Sequence, residues 1–284
     1  MLMKQWRSIA TSAGVLVPVL ACVELRSTSA VEVTDIGVSS SSDAPSIPTD
    51  SQMNCPNWMR FIPANRFLMG SAMGDPDEQP VHGVRLTAYC LDMAEVSVAD
   101  YRTCVTAAAC SEPGTEGACN WTAAGRDQHP INCVDWNQAR AYCRWRGGDL
   151  TTEAQWEYAG RWTDGRTYPW GNEQPGEQLC WSGRTSRSNT CPTKERPSGN
   201  SPFGIFDMAG NVFEWTLDGY SPYSGDEQSN NLNPVGPVTG ADRSTRGGGC
   251  FTGDASGFRV TRRYRVDSLA RVYALGFRCA RGAQ

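Results

Sequence analysis

Twelve cysteines, two histidines, an acidic turn and a run of arginines are the residues that could carry chemistry. Thiolates are nucleophiles and soft metal ligands, and two that converge suit copper(I). No Cys-x-x-Cys pair occurs, so zinc-ribbon spacing is absent and disulfides are the expected use of the sulfur. His82 and His129 with a carboxylate could form a facial iron triad. Each sits beside a proline-marked extended segment, "QPVHGV" and "QHPINC", where a lone histidine reads as structural. The stretch "FGIFDMAGNVFEWTLDGY", 203 to 220, places Asp207 and Glu214 around a Gly-Asn pair. Such irregular, oxygen-rich turns suit calcium, and acids in them also cap the chain or pair with arginines. Arg246, Arg259, Arg262, Arg263 and Arg265 read either as an anion-binding wall or as partners of Asp and Glu along a strand face. No Gly-x-Ser-x-Gly nucleophile elbow is present.

The chain that must position these groups has 284 residues and a formal net charge of -4, which gives no basic field for nucleic acid. Its 10 Trp, 9 Tyr and 8 Phe can fill a core, and its 29 Gly and 17 Pro suit a fold rich in turns. The cysteine content implies an oxidising compartment. Residues 1–22 agree: Lys4 and Arg7 precede the apolar run "AGVLVPVLA", and "VLAC" ending at Cys22 has the form of a bacterial lipobox, which makes Cys22 the expected lipidation site. Cleavage near "STSA", 27 to 30, is the alternative and would leave a periplasmic or secreted protein. Residues 23–52, with "SSSSDAPSIPTDS", bury almost nothing and read as a disordered tether.

Residues 53–284 read as one domain. "FIPANRFLMGS" is expected to form two short strands around a turn, with Phe61, Ile62, Phe67, Leu68 and Met69 in the core. A helix capped by Ser97 should bury Val98, Tyr101 and Val105; a second starts at Asp135 and ends before Gly147-Gly148. Thr152 and Gln155 form a capping box for a third, with Gly160 as its stop. From 163 to 250, Gly, Pro, Asn and Ser punctuate nearly everything, so a loop-built half is expected. "SGFRVTRRYRV" and "ALGFRCAR" read as closing strands.

The motifs "FIPANRFLMGS", "HPINCVDWNQARAYCRWRGGDLTTEAQWEYAGR", "YPWGN", "FGIFDMAGNVFEWT", "TRGGG" and "LGFRCAR", in this order over about 58 to 281, resemble the formylglycine-generating enzyme, or sulfatase-modifying factor, family. The resemblance implies an α+β domain, a loop-rich variant of the C-type-lectin-like fold. It implies a disulfide between Cys143 and Cys279, and a structural calcium site formed by Asp207, the carbonyls of Gly210 and Val212, and Glu214. Cys180 and Cys191 enclose a short loop and are the next expected pair.

Catalytic members of that family oxidise a cysteine of a target sulfatase with oxygen and a copper ion held by two thiolates. Counting from Gly247-Gly248-Gly249 puts those two positions at Thr252 and Gly257, and no cysteine lies between Cys250 and Cys279. Neither copper nor iron is therefore expected. Cys250 would share a face with residue 252 if this segment is extended, which makes it the remaining catalytic candidate; the competing reading is a disulfide to Cys55 or to a cysteine between 90 and 133. Without Cys22 the cysteines number eleven, an odd count that leaves at least one unpaired or intermolecular. The expected protein is an exported, lipid-anchored, calcium-stabilised module that binds a protein, peptide or glycan. The alternative is an oxygen- and metal-dependent oxidoreductase acting on a peptide or thiol.

Overall fold

The computed structural model describes residues 55–183, 189–237 and 239–282. The signal and lipobox segment, Cys22 and the tether lie outside the described residues. Eleven short strands and three helices form an α+β domain: β1 Met59–Ile62, β2 Asn65–Met69, β3 His82–Leu86, β4 Tyr89–Asp92, α1 Val98–Thr106, α2 Trp136–Trp145, β5 Asp149–Leu150, α3 Glu153–Arg161, β6 Phe213–Gly219, β7 Asn231–Leu232, β8 Asp242–Arg246, β9 Tyr264–Asp267, β10 Leu275–Phe277 and β11 Cys279–Gly282. Three sheets result, ordered β1-β4-β11-β5, β10-β6-β8-β9 and β2-β3-β7.

The helices begin where their caps dictate. Ser97 Oγ accepts from Asp100 N at 3.1 Å. Asp135 with Gln138, and Thr152 with Gln155, close reciprocal capping boxes. Gly160 does not stop α3. It lies inside the helix, where an added Cβ would meet Val260 Cγ1 at 2.8 Å, so the glycine serves packing. The cap is Trp162, at φ 55° and ψ −139°.

"FIPANRFLMGS" forms two short strands around a turn, as expected, and they enter different sheets: β1 pairs with β4 and β2 with β3. Two further expectations are corrected. Along β2 the side chains alternate, so Phe67 and Met69 are buried and Leu68 points out; Phe61 on β1 is only half-buried. Nor is 163–250 entirely loop-built. β6 and β8 are the two inner strands of the second sheet, with Glu214 opposite Arg246 and Trp215 opposite Thr245. Of "SGFRVTRRYRV" the structure makes a 3-10 turn, Ala255–Phe258, and then β9.

One core packs Tyr101, Tyr142, Trp136, Trp215 and Phe277; a second packs Phe67, Trp156, Tyr158, Ile205 and Val260. Among the described residues five disulfides join Cys55–Cys90, Cys104–Cys110, Cys119–Cys133, Cys143–Cys279 and Cys180–Cys191. Cys143–Cys279 closes 136 positions of chain and ties α2 to β11. In the chain-entropy picture a loop of that size stabilises the fold by roughly 5 kcal/mol.

Candidate functional site

After β8 the chain turns at Gly247 and Gly248, both at positive φ, and a Cβ on Gly248 would lie 2.8 Å from the Phe258 ring. That close approach needs glycine. Gly249 and Thr252 then close a tight turn: Thr252 N donates to Gly249 O at 2.9 Å and Gly249 N to Thr252 Oγ1 at 3.0 Å. Asp254 caps the following 3-10 turn through Ser256 N, and this brings Gly257 back against Thr252. A Cβ built on Gly257 would stand 4.0 Å from Thr252 Cβ and 2.5 Å from its Cγ2. Paired cysteines have Cβ atoms about 3.5–4.5 Å apart, so the two positions are placed as a thiol pair would be. They carry a methyl, a hydroxyl and a hydrogen instead. Around them, Tyr264 OH donates to Gly257 O at 2.9 Å, Phe213 meets Tyr264 edge-on at 4.8 Å, and Trp181 meets Phe258 edge-on at 5.3 Å.

Cys250 is unpaired and fully buried against the Cys180–Cys191 disulfide. This overturns the expectation of a bond to Cys55 or to the 90–133 group, whose cysteines all pair among themselves. The segment is a turn rather than a strand, so Cys250 points inward, away from any shared face with Thr252. Burial pushes its thiol up to about 12, with the Glu95 carboxylate adding to the shift. A thiol so placed is a poor nucleophile and a poor metal ligand.

Behind this turn lies a buried acidic cluster. Glu214 accepts from Trp156 Nε1 at 2.9 Å and from the Arg278 guanidinium at 2.6 and 2.7 Å. Asp207 Oδ2 accepts from Lys194 N at 2.7 Å. Glu95 was not singled out in the sequence. Its only signal was an acid two residues before the α1 cap, in "AEVS", yet it is 3% exposed and its oxygens accept from Asn211 Nδ2 at 2.6 Å and Val212 N at 3.2 Å. Burial, reinforced by Asp207 and Glu214, pushes the Glu95 carboxyl well above its usual range; burial raises Asp207 to about 6. The turn that collects them runs through positive φ at Asp207, Gly210 and Asn211, and a Cβ on Gly210 would strike Cys180 O at 2.6 Å.

Ionising all three buried carboxyls around one guanidinium would leave an excess of negative charge, which a divalent cation would neutralise and which suits oxygen-seeking calcium. Among the described residues, the carboxylate, histidine and cysteine atoms that converge within 4.8 Å of one another belong to Asp75, Asp77 and Glu78, not to this cluster. The cluster offers the charge and oxygen chemistry that calcium takes, but its carboxylates do not converge on one point: both oxygens of Glu95 and of Glu214, and Asp207 Oδ2, are turned toward protein donors.

The arginines do not line an open wall, and the physical reason is charge pairing. Arg246 is fully buried and donates to Glu153 Oε1 at 2.8 Å, Glu157 Oε2 at 3.0 Å, Val260 O at 2.8 Å and Tyr223 OH at 2.7 Å. Arg263 forks Glu153 at 2.8 Å through both Nε and Nη2, and Arg259 pairs with Glu78. Burial would raise the Glu153 carboxyl, but Arg246 and Arg263 outweigh it and hold it at about 2.

His82 and His129 have separate surroundings. His82 Nδ1 donates to Pro80 O at 2.9 Å and its ring packs on Tyr223. His129 Nδ1 lies 2.9 Å from Thr190 Oγ1, and burial, with Arg126 beside it, lowers the ring to about 4.

Over residues 44–283 the chain matches the sulfatase-modifying factor enzyme 1-like domain. It is 34% identical over 283 residues to the formylglycine-generating enzyme of Streptomyces coelicolor, across 78% of this chain and 88% of that protein. It is 35% identical over 166 residues to inactive C-alpha-formylglycine-generating enzyme 2 of Bos taurus, across 55% of this chain and 51% of that protein. Its fold is that of PvdO from Pseudomonas aeruginosa, with a TM-score of 0.65 at 23% identity, across 79% of this chain and 94% of that one.

Proposed function

Because the chain belongs to the formylglycine-generating-enzyme, or sulfatase-modifying factor, family, we propose that it is an exported member that does not make formylglycine and acts as a binding module. The observation that carries this reading is the Thr252–Gly257 pair. The backbone holds the two positions at thiol-pair separation, and neither residue can ligate copper as a thiolate. The alternative use of Cys250 in an oxidase is disfavoured by its burial and raised thiol.

Support for binding comes from the surface beside that pair. Phe251 packs edge-on against Tyr273 at 4.6 Å, and Leu269, Val272 and Tyr273 are 69%, 44% and 43% exposed. Exposed apolar side chains grouped beside a rigid turn are characteristic of a protein or peptide contact. The five disulfides support an oxidising compartment, and the sequence around Cys22 supports attachment to a membrane through a lipid. Calcium would be held by Glu95, Asp207 and Glu214 with the carbonyls of Gly210 and Val212, where it would neutralise the acidic excess and cross-link the segment before α1 to the turn before β6.

The test is to incubate the purified, copper-loaded protein in air with a Cys-x-Pro-x-Arg peptide and to measure peptide mass. The expected outcome is an unchanged cysteine; conversion to formylglycine would overturn the reading.

A further inference from the structure

At the C-terminal end of α3 a cavity of about 280 Å³ opens between that helix and the chain after β2. Its apolar lining is Leu68, Val81 and Trp162, and its polar rim is Ser71, Arg161, Thr163 and Asp164. The size lies just below the usual range for ligand pockets, ~300–1,000 Å³, and so admits a single ring rather than a chain of them.

Trp162 is the unusual member. It ends α3 with φ 55° and ψ −139°, in the left-handed half of conformational space where a bulky side chain is an outlier and helices normally place glycine. Strain of this kind clusters at ligand clamps. Its N–H still caps the helix, donating to Tyr158 O at 2.8 Å, so the helix end itself would accept glycine without loss of that bond. What the tryptophan adds is a half-buried indole that packs on the second core and lines the cavity.

The charges on the rim are already matched. Arg161 Nη1 donates to Glu157 Oε1 at 3.0 Å and to Gly70 O at 2.8 Å, and the Asp164 carboxylate is forked by Arg166. A charged ligand would find no net counter-charge here. An aromatic wall, two hydroxyls and two internally neutralised ion pairs suit a ligand with one apolar face and a ring of uncharged hydroxyls.

The geometry points to a binding site for a neutral pyranose ring, its C–H face on Trp162 and its hydroxyls toward Ser71, Thr163 and the Arg161–Asp164 rim. The inference rests on the reading of the chain as a binding module and names one ligand class for it.

The experiment is saturation-transfer NMR of the intact domain with methyl glucopyranoside, methyl mannopyranoside, N-acetylglucosamine and neutral oligosaccharides of each, against glucuronate and glucosamine as charged controls. The expected result is transfer to at least one neutral pyranoside and none to the charged sugars. Trp162→Gly should weaken it at least tenfold, while relief of the positive φ offsets part of the packing lost from the second core. Should Trp162→Gly fail to fold, the rim pair Ser71→Ala with Thr163→Ala reads the same loss. An oligosaccharide that binds more tightly than its monomer identifies a glycan chain as the source, and equal binding a free sugar. Absence of transfer to every neutral sugar, or transfer untouched by the variants, overturns the site. Those results leave the binding-module reading standing, because only formylglycine production on the Cys-x-Pro-x-Arg peptide overturns that.

Discussion

Thr252 and Gly257, five positions apart, face each other across a turn at a separation that suits a cysteine pair: a Cβ on Gly257 would sit 4.0 Å from the Thr252 Cβ. The scaffold for two sulfurs is present and the sulfurs are not. Thr252→Cys with Gly257→Cys should therefore form a disulfide in air and, once reduced, hold one copper(I) ion per chain. Gly257→Ala alone should destabilise the domain by about 1–3 kcal/mol, because its methyl would meet Thr252 Cγ2 at 2.5 Å. Mass loss of two hydrogens and a copper titration check the double variant; two free thiols in air would show that the positions do not converge.

Calcium should raise the melting temperature of the wild-type domain. Binding at a hundredfold excess over Kd contributes about 2.7 kcal/mol, which for a domain of this size is several degrees. Glu95→Gln combined with Asp207→Asn should abolish the shift. It should also stabilise the calcium-free protein, since like charges no longer meet in the interior. Scanning calorimetry with and without chelator reads both, and a wild-type melting point indifferent to calcium would remove the ion from the account.

Asp218 makes the pH dependence readable. Burial, then repulsion from Glu153, raises its carboxyl from 3.8 to about 7, although it accepts from Glu153 N at 2.8 Å and Gly236 N at 2.6 Å. Between these two values the unfolded chain is ionised and the folded one protonated, so stability falls as pH rises from about 4 to about 7. His129 acts oppositely: its folded value of about 4 lies below 6.5, so its contribution is lost as pH falls through that window. Denaturant unfolding of the wild type and Asp218→Asn at about pH 5 and about pH 8 isolates the carboxylate. The wild type should lose more stability toward the higher pH than the variant, and parallel profiles would refute the assignment.

Arg246 holds two carboxylates from α3 in the core. Arg246→Met should cost about 3–5 kcal/mol by leaving Glu157, still paired with Arg161, and Glu153, still paired with Arg263, each with one of two guanidinium partners. Adding Glu157→Gln should recover part of the loss. Urea unfolding of the single and double variants measures the coupling, and strictly additive effects would show that the pair is not a unit.

The three helix starts were legible because a capping side chain and its amide lie three residues apart, a relationship carried by consecutive sequence. The loss of both thiolate positions was legible by counting from the glycine tract, since a turn of fixed length leaves little freedom in register. Local sequence therefore determined the family, the helix starts and what the reaction centre lacks.

Tertiary structure alone decided the rest. The inner positions of β6 and β8, the pairing of Arg246 with Glu153 across 93 residues, and the seat of Glu95 against Asn211 across 116 have no periodic signature. In each case the partner is chosen by which charges and amides are left unsatisfied once water is excluded, a condition set by the packed interior rather than by spacing along the chain. The same holds for Cys250: among the described residues ten cysteines pair, and Cys250 is left as a buried thiol packed on the Cys180–Cys191 bond.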